Sequence, residues 1–249
     1  MQSIIHSFKM ELTILGSGSA IPYDNRASSS YILKFGDSSI LLDAGFWVVE
    51  RLEKIKFSLN NLEYIFLSHK HPDHFIGLIH ILFALRNPVF NRETPLKIFG
   101  FKGLREYFEK FKKILGHWIE PGFEILFFED KEKTFDKFSY SLFKTEHSEE
   151  SVGINILINN KKITYTSDTD FFLELGNKIN NSEIVIIECA SPSENKIKGH
   201  LSYTEIMEIT KNLNIKKIIL THFYPDSLPK VKLPENFILA KDLMHIKIN

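Results

Sequence analysis

Imidazole and carboxylate side chains crowd one short segment of this chain, His69-Lys70-His71-Pro72-Asp73-His74. The segment follows Tyr64–Ser68, whose apolar residues predict a buried strand, so we expect it to form the loop at the end of that strand. Imidazole nitrogen and carboxylate oxygen are ligands that zinc and similar ions take in proteins. Four such ligands so close in sequence cannot all reach one ion with good geometry, whereas two neighbouring ions can share them. The fold must therefore bring further ligands to the end of this strand.

Three more candidate ligands each come directly after a predicted strand, where a rigid scaffold can hold them in place. They are His147, Asp168 and His222. Taken singly, a histidine or aspartate on a loop is usually only solvated. Taken with the segment His69–His74, the three complete a ligand set for two cations, and the two oxygens of Asp168 suit it to bridge them. We therefore predict a metal centre built at strand ends.

Composition narrows the class of protein. The 249 residues carry 31 Lys and Arg against 31 Asp and Glu, so no net charge attracts nucleic acid or an acidic membrane. The one cysteine, Cys189, excludes an intramolecular disulfide and a cysteine-rich zinc site, and it favours a cytoplasmic location. The segment Met1–Met10 does not resemble a signal peptide, and Met10 is a second candidate start. No apolar run approaches the length of a membrane-spanning helix.

The order of predicted elements favours an α/β sandwich with sheets inside and helices outside. Strands come first, then helices, then further strands and alternating units. Phe75–Leu85 is expected to form a helix buried over much of its circumference, and apolar periodicity predicts a helix over Phe101–Trp118. Ser202 is the expected N-cap of a helix over Tyr203–Asn212. Phe237–Ile248 is expected to form a hairpin-like ending. Because no repeat or linker interrupts the chain, we expect one domain over residues 1–249.

Together these segments resemble the metallo-β-lactamase-fold hydrolases, over a stretch from about Leu12 to His222. The motifs that carry the resemblance are Leu42-Asp43-Ala44-Gly45, Ser68-His69-Lys70-His71-Pro72-Asp73-His74, Gly77-Leu78, His147, Ser167-Asp168-Thr169 and Thr221-His222-Phe223. The resemblance implies a four-layer αββα sandwich and a hydrolase that uses a hydroxide between two divalent metal ions. Zinc is the favoured metal, and manganese and iron are alternatives that share these ligands.

The resemblance also implies a role for each site residue. The implied ligands are His69, His71 and His147 for the first ion, Asp73, His74 and His222 for the second, and Asp168 between them. Asp73 is in addition a candidate catalytic residue, which would steer the proton of the attacking water. Asp43 is expected to support the ligands without being one.

Two further segments resemble the ribonuclease Z-like branch of these hydrolases. Gly199-His200-Leu201-Ser202 matches an element whose histidine lies near the scissile phosphate and helps to protonate the leaving group. His200 is therefore a candidate catalytic acid and substrate contact, with bracing of the following helix as the alternative. Leu15–Ser30 resembles the same branch, and within it Arg26 could contact phosphate, with an ordinary surface charge as the alternative.

The chain departs from the tRNA-processing enzymes of that branch in one main respect. Those enzymes carry a long projecting arm between the third and fourth motifs, whereas here only two predicted strands and the turn Asn159-Asn160 separate His147 from Asp168. Ala27 also follows Arg26 where asparagine is usual. We therefore expect an arm-less phosphodiesterase of a small substrate, such as a cyclic nucleotide or nucleotide-like diester. A tRNA 3′-processing endoribonuclease and a hydrolase of a thioester or lactone are the alternatives.

Two other classes are less favoured. A lactamase of class B often places cysteine on its second metal, whereas Cys189 follows a predicted buried strand and is expected in the core. A metal-holding protein without turnover would not need to keep all seven ligands.

The sequence defines partners less closely. A small phosphodiester is the expected partner, nucleic acid is possible but not favoured, no membrane partner is expected, and a homodimer stays open. The helix predicted over Phe101–Trp118 has a basic face that could meet nucleic acid, although Glu106 and Glu109 dilute it. Its basic residues are Lys102, Arg105, Lys110, Lys112 and Lys113. Three phenylalanines on predicted loops could line a pocket, namely Phe46, Phe171 and Phe223.

Overall fold

The computed structural model describes residues 9–248, in which fourteen strands form two seven-stranded sheets. The strands are β1 (Met10–Gly16), β2 (Ser30–Phe35), β3 (Ser38–Leu42), β4 (Tyr64–Leu67), β5 (Leu96–Gly100), β6 (Ile125–Phe128), β7 (Glu132–Thr134), β8 (Ser139–Lys144), β9 (Val152–Ile158), β10 (Lys161–Tyr165), β11 (Ser182–Glu188), β12 (Ile215–Thr221), β13 (Phe237–Leu239) and β14 (His245–Ile248). The α-helices are α1 (Val48–Lys54), α2 (Pro72–Leu85), α3 (Leu104–Leu115), α4 (Leu175–Ile179) and α5 (Tyr203–Thr210). None of the helices between residues 9 and 248 combines the length and apolar character needed to cross a lipid bilayer.

Each sheet is mixed, with antiparallel pairing in one half and parallel pairing in the other. The first sheet has the order β14-β1-β2-β3-β4-β5-β6, antiparallel from β14 to β3 and parallel from β3 to β6. The second sheet has the order β13-β12-β11-β10-β9-β8-β7, parallel from β13 to β10 and antiparallel from β10 to β7.

Both faces of the first sheet are buried, which explains the nearly continuous apolar runs of its central strands. Successive side chains of a strand point to opposite faces. On β4, Tyr64 and Phe66 join a core cluster that includes the second sheet, whereas Ile65 and Leu67 join a cluster that includes α1, α2 and α3. Because α4 and α5 contribute apolar residues to the core beside the second sheet, the predicted α/β sandwich is confirmed.

Segments that follow strands of both sheets meet at one edge of the sandwich. Asp43 and His69 come just after β3 and β4 of the first sheet, and Asp168 and His222 come just after β10 and β12 of the second. Ladder hydrogen bonds fix the backbone that leads into each of these residues, so their side chains start from defined positions. The candidate site is therefore divided between the two sheets.

The prediction of a loop over His69–His74 was wrong in its second half. Helix α2 begins at Pro72, and His71 is its N-cap, with extended backbone. Proline suits the first helical turn because its missing N–H would have no partner there. Asp73 and His74 consequently lie in the first turn of a helix, a more rigid support than a loop.

Phe237–Ile248 does not form a hairpin, so that prediction was also wrong. Strand β13 pairs with β12 in the second sheet, whereas β14 pairs with β1 in the first. Between them, Leu243 has a φ of 65° and donates its backbone N–H to the carbonyl of Ile14. Each short run thus pairs with a sheet edge whose N–H and C=O groups would otherwise lack partners. Strand β7 and helix α4 were not predicted, since both are short.

The helices predicted over Phe101–Trp118 and Tyr203–Asn212 were confirmed with shorter bounds. Helix α3 ends at Leu115 because Gly116 takes a φ of 59°, and a 3₁₀ turn over Gly116–Ile119 completes the predicted segment. Ser202 caps α5 as expected, and its side chain exchanges hydrogen bonds with Glu205 in a capping box.

Candidate metal centre

The structure brings all seven predicted ligands together, in groups whose ligand atoms lie within 4.8 Å of one another. The groups are His69, His71, His147 and Asp168; Asp73, His74 and His222; and Asp168, His200 and His222. Most of these side chains are buried, with His71 exposed and His147 partly so. Residues that are distant in sequence thus form one cluster with an accessible side.

One carboxylate oxygen lies in the middle of this cluster. The distances from Asp168 Oδ2 to Nε2 are 3.3 Å for His74 and His222, 3.6 Å for His147 and 3.8 Å for His69. Burial alone would raise the pKa of Asp168, but His222 and His74 outweigh it and hold the pKa well below its usual range. The surrounding imidazoles thus favour the ionised form of Asp168, and its Oδ2 lies within 3.8 Å of histidines from both groups of ligand atoms.

Several buried atoms of the cluster have no hydrogen-bond partner among the described residues. They are Nε2 of His69, His74 and His222, and Oδ1 of Asp168. Buried polar atoms are nearly always hydrogen-bonded in folded proteins, so four such atoms in one place point to a ligand. Imidazole nitrogen and carboxylate oxygen bind divalent ions such as zinc, and this donor set therefore fits a metal centre.

In four histidines of the cluster, the ring nitrogen Nδ1 makes a hydrogen bond outside the group of ligand atoms. The Nδ1 contacts are 2.9 Å from His69 to Ser68 Oγ, 2.6 Å from His74 to Asp43 Oδ2, 2.9 Å from His147 to the Gly199 carbonyl, and 2.7 Å from His222 to Ser29 Oγ. Such contacts fix the ring and its tautomer in metal sites. In each ring Nε2 is left to face the cluster.

Asp43 joins the two sheets beneath the site. Its Oδ2 accepts hydrogen bonds from His74 Nδ1 (2.6 Å), Ser68 Oγ (2.7 Å) and the hydroxyl of Tyr165 (2.7 Å). Its Oδ1 accepts the backbone N–H of Ser68 at 2.8 Å. Ser68 follows β4 and Tyr165 ends β10, so this carboxylate ties a ligand to both halves of the sandwich. These contacts are compatible with a supporting role for Asp43, which stays a prediction.

Protonation and metal binding compete at His74. Burial lowers the pKa of its imidazole, but nearby carboxylates, chiefly Asp168, outweigh burial and raise the pKa well above its usual value. Because Asp43 already accepts Nδ1–H, an additional proton would sit on Nε2, the atom that a metal would use. Metal binding at Nε2 would release this proton, so it would compete with protonation.

His200 is positioned by a buried carboxylate that sequence reasoning missed. His200 Nδ1 lies 2.9 Å from Glu188 Oε1, and the rings of His200 and His222 stack with centroids 5.8 Å apart. Glu188 is 1% exposed and also accepts the backbone N–H of Thr169. Burial lowers the pKa of His200, but Glu188 outweighs it and raises the pKa to about 9. The ring of Tyr224, in contact with both histidines, completes this side of the cluster.

Comparison with known proteins identifies the family. A sequence model of the family described as anti-Pycsar protein Apyc1 matches residues 10–242. The chain belongs to the Apyc1 family. Among curated proteins, the ribonuclease Z of Borrelia hermsii is 26% identical over 297 aligned positions, which cover 94% of this chain and 89% of that protein. The alignment is longer than the 249 residues of the Apyc1-family chain, so the relative has inserted segments that this chain lacks.

Solved structures agree on the fold of this Apyc1-family chain. YhfI from Bacillus subtilis, a metallo-β-lactamase-fold protein, matches with a TM-score of 0.81 at 23% identity, covering 96% of this chain and 99% of that one. The short form of human tRNase Z matches with a TM-score of 0.80 at 22% identity, with the same coverage. The predicted resemblance to metallo-β-lactamase-fold, ribonuclease Z-like proteins is confirmed. The chain is a metal-dependent hydrolase of this fold.

Arg26 of this Apyc1-family member lies in a buried hydrogen-bond network, not on the surface. Its Nη1 donates to Ser17 Oγ at 2.6 Å and to the Ala240 carbonyl at 2.8 Å, and its guanidinium lies 4.9 Å from the ring centroid of Phe223. Ser17 in turn donates to Asp242. Within residues 9–248, none of these contacts involves a predicted metal ligand. Phe223 is fully buried here, so the expectation that it lines a pocket was wrong.

Replacing Arg26 by methionine is expected to lower the free energy of unfolding by about 2–3 kcal/mol, since two charge-assisted hydrogen bonds are lost. Urea denaturation measures this change. Arg105→Met, at an exposed position, is the control and should stay within about 0.5 kcal/mol of wild type. If Arg26→Met instead leaves stability unchanged and raises KM for a phosphodiester, the predicted phosphate contact is favoured over the structural role.

Proposed function

We propose that this chain is a dinuclear metal-dependent phosphodiesterase that hydrolyses small phosphodiesters, such as cyclic nucleotides or nucleotide-like diesters. The observation that carries the proposal is the His200–Glu188 pair, 2.9 Å apart, beside Asp168 and His222. An alkoxide leaving group needs a proton, which a positioned imidazolium can give. A thiolate leaving group needs none, so the pair favours a phosphodiester over a thioester.

Two of the three groups of ligand atoms support the following assignment of residues to the ions. His69, His71 and His147 would bind one, Asp73, His74 and His222 the other, and Asp168 both. When bound, the ions would make hydroxide available near neutral pH and polarise the phosphoryl oxygen. Zinc is the favoured metal for these ligands, and manganese and iron are also compatible with them.

In this proposal His200 supplies the proton to the leaving oxygen. Glu188 accepts Nδ1–H and stabilises the positive ring, so Nε2 is the nitrogen that can act on a substrate. Asp73 has a separate task. Its Oδ2 lies 3.7 Å from His74 Nε2 and 4.0 Å from His222 Nε2, where it can accept a proton from the attacking water. The proposed acid, His200, and the proposed base, Asp73, thus lie on different segments of the chain.

The chain between the ligands supports a small substrate. Only β9, the turn Asn159-Asn160 and β10 lie between the loop of His147 and that of Asp168, so no projecting arm follows the third motif. Inserted segments of the ribonuclease Z relative are consistent with this difference.

The basic face of α3 also gives little support to a nucleic-acid substrate. Lys110 pairs with Glu106 at 2.9 Å, and Lys112 pairs with Glu120 at 2.8 Å. The carboxylate of Glu129 accepts backbone N–H groups at the start of α3. Two of the five basic residues of this face are thus paired with acidic groups, which a bound polyanion would have to displace.

Substrate comparison tests the proposal. The zinc- or manganese-loaded protein would be assayed with a 3′,5′-cyclic nucleotide, bis(p-nitrophenyl) phosphate, a tRNA precursor with a 3′ trailer, and a thioester. We expect the small diesters to be hydrolysed fastest, and Asp73→Ala to lower their kcat/KM by about 100-fold or more. Asp136→Ala, at an exposed site outside the cluster, is the matched control.

The similarity to ribonuclease Z makes tRNA 3′ processing the second candidate function. Efficient cleavage of the tRNA precursor, with poor turnover of the small diesters, would favour it. Equal rates for the wild type and Asp73→Ala on every substrate would count against both.

A further inference from the structure

A cavity of about 550 Å³ opens beside the candidate metal centre, on the side of His71 and His147. Its wall also includes Phe171, Phe172 and Lys198. None of these three is a predicted ligand or proton carrier. The cavity therefore offers contacts to a part of the substrate away from the reacting phosphorus.

Phe171 is the more exposed of the two phenylalanines in the cavity wall. It is 50% exposed, so its ring is accessible from the cavity. The next residue, Phe172, is partly buried and packs against the core. Phe172 thus anchors the loop to the core, and the ring of Phe171 lies exposed beside the site.

Asp170 holds Phe171 in place. Its backbone N–H donates to the Glu146 carbonyl at 2.7 Å, and its carboxylate accepts the backbone N–H of Gly199 at 2.9 Å. The same carboxylate pairs with Lys196 at 2.8 Å and accepts the backbone N–H of Phe171 at 2.8 Å. The backbone of Phe171 is therefore fixed relative to the segments that contain His147 and His200.

Lys198 is the one lysine of the cavity wall, which also includes the carboxylates of Glu146 and of Asp170. It is exposed, and its ammonium makes no ion pair with any residue between 9 and 248. Lys196, two residues earlier, is by contrast paired with both Asp170 and Glu205. An aromatic face next to a free cation suits an aromatic ring attached to an anionic group.

We propose that this cavity is the specificity subsite of the enzyme, in which Phe171 stacks on the base of a nucleoside phosphodiester and Lys198 attracts its negative charge. The inference rests on the proposed phosphodiesterase function and adds the two residues that would select a nucleoside ester over other small diesters. Stacking of a base on an aromatic side chain typically changes affinity by about 5- to 150-fold on alanine substitution.

Two substrates with the same leaving group test this proposal. Thymidine 5′-(p-nitrophenyl phosphate) and methyl p-nitrophenyl phosphate differ in the nucleoside alone. Phe171→Ala is expected to raise KM for the nucleoside ester by about 5- to 150-fold and to leave both kcat and the methyl ester nearly unchanged. Phe171→Tyr should keep the wild-type preference. Leu173→Ala, an 83% exposed residue of the same loop outside the cavity wall, is the control.

Equal changes for the two esters, or none for either, would overturn the subsite. Calorimetric titration of the zinc-loaded protein with thymidine 5′-monophosphate and with methyl phosphate separates this proposal from the proposed function. If no diester is turned over, loss of the nucleotide preference in Phe171→Ala still supports the subsite, and the phosphodiesterase proposal alone fails. A wild type that binds the two monophosphates equally overturns the subsite whatever the turnover.

Discussion

Substitution of Asp168 by asparagine is expected to lower kcat/KM for a small phosphodiester by about 10³-fold or more. Loss of one preorganised electrostatic contact typically costs about 10²–10³-fold, and Asp168 would serve both ions. Its Oδ2 lies within 3.8 Å of Nε2 of four histidines. An amide is neutral and a weaker ligand, so the same change should also abolish the stabilisation that zinc gives to the folded protein.

Thermal unfolding measures the second effect. Zinc at about 100 times its Kd stabilises a folded protein by about 2.7 kcal/mol. For a chain of this length that corresponds to a rise in Tm of about 5–11 °C, reversed by a chelator. Wild type and the control Asp136→Asn should show the rise, and Asp168→Asn should not. Retention of two zinc ions and of the full shift by Asp168→Asn would rule out the bridging role.

Substitution of His200 by alanine is expected to slow hydrolysis in proportion to the need of the leaving group for a proton. With an alkoxide leaving group, as in a cyclic nucleotide, the rate should fall by about 10²–10⁴-fold. With p-nitrophenolate, which leaves as a stable anion, the loss should be small. Glu188→Gln should act in the same direction with a loss of about 10–100-fold, because Glu188 acts through the His200 ring.

The pH dependence gives an independent readout of this pair. An acid must be protonated to act, so the rate with an alkoxide leaving group falls as pH rises through the pKa of His200. Glu188 raises that pKa, and Glu188→Gln should therefore move the fall to lower pH. Exposed His80 provides the control variant His80→Ala. An equal loss for both kinds of leaving group would assign His200 a structural role instead.

The ligand cluster was predictable because its signals are local. His69, His71, Asp73 and His74 stand within six residues, and the other three ligands each follow an apolar run that reads as a strand. Metal-ligand chemistry restricts the residue types, and strand ends restrict their positions. Both restrictions apply within a few residues of sequence, so the ligands can be predicted without knowledge of the tertiary fold.

Partners across the fold were not predictable in the same way. Glu188 ends the apolar run of β11, and a buried carboxylate at that position needs a partner. No feature of the neighbouring sequence indicates that this partner is His200. Ser29 lies in a run of three serines, and only the packing of the two sheets selects it as the partner of His222 Nδ1. The edge pairings of β13 and β14 likewise depend on which sheet has an open edge.

The division of the site between two sheets has a consequence for the order of folding. His69–His74 join the first sheet to α2, whereas His147, Asp168 and His222 follow strands of the second. Either sheet could gather its own strands, yet a complete ligand set exists only after the two have docked through contacts between residues distant in sequence, which form slowly. The rate of metal uptake during refolding would therefore report the rate at which the two sheets dock, and metal binding would follow docking instead of initiating it.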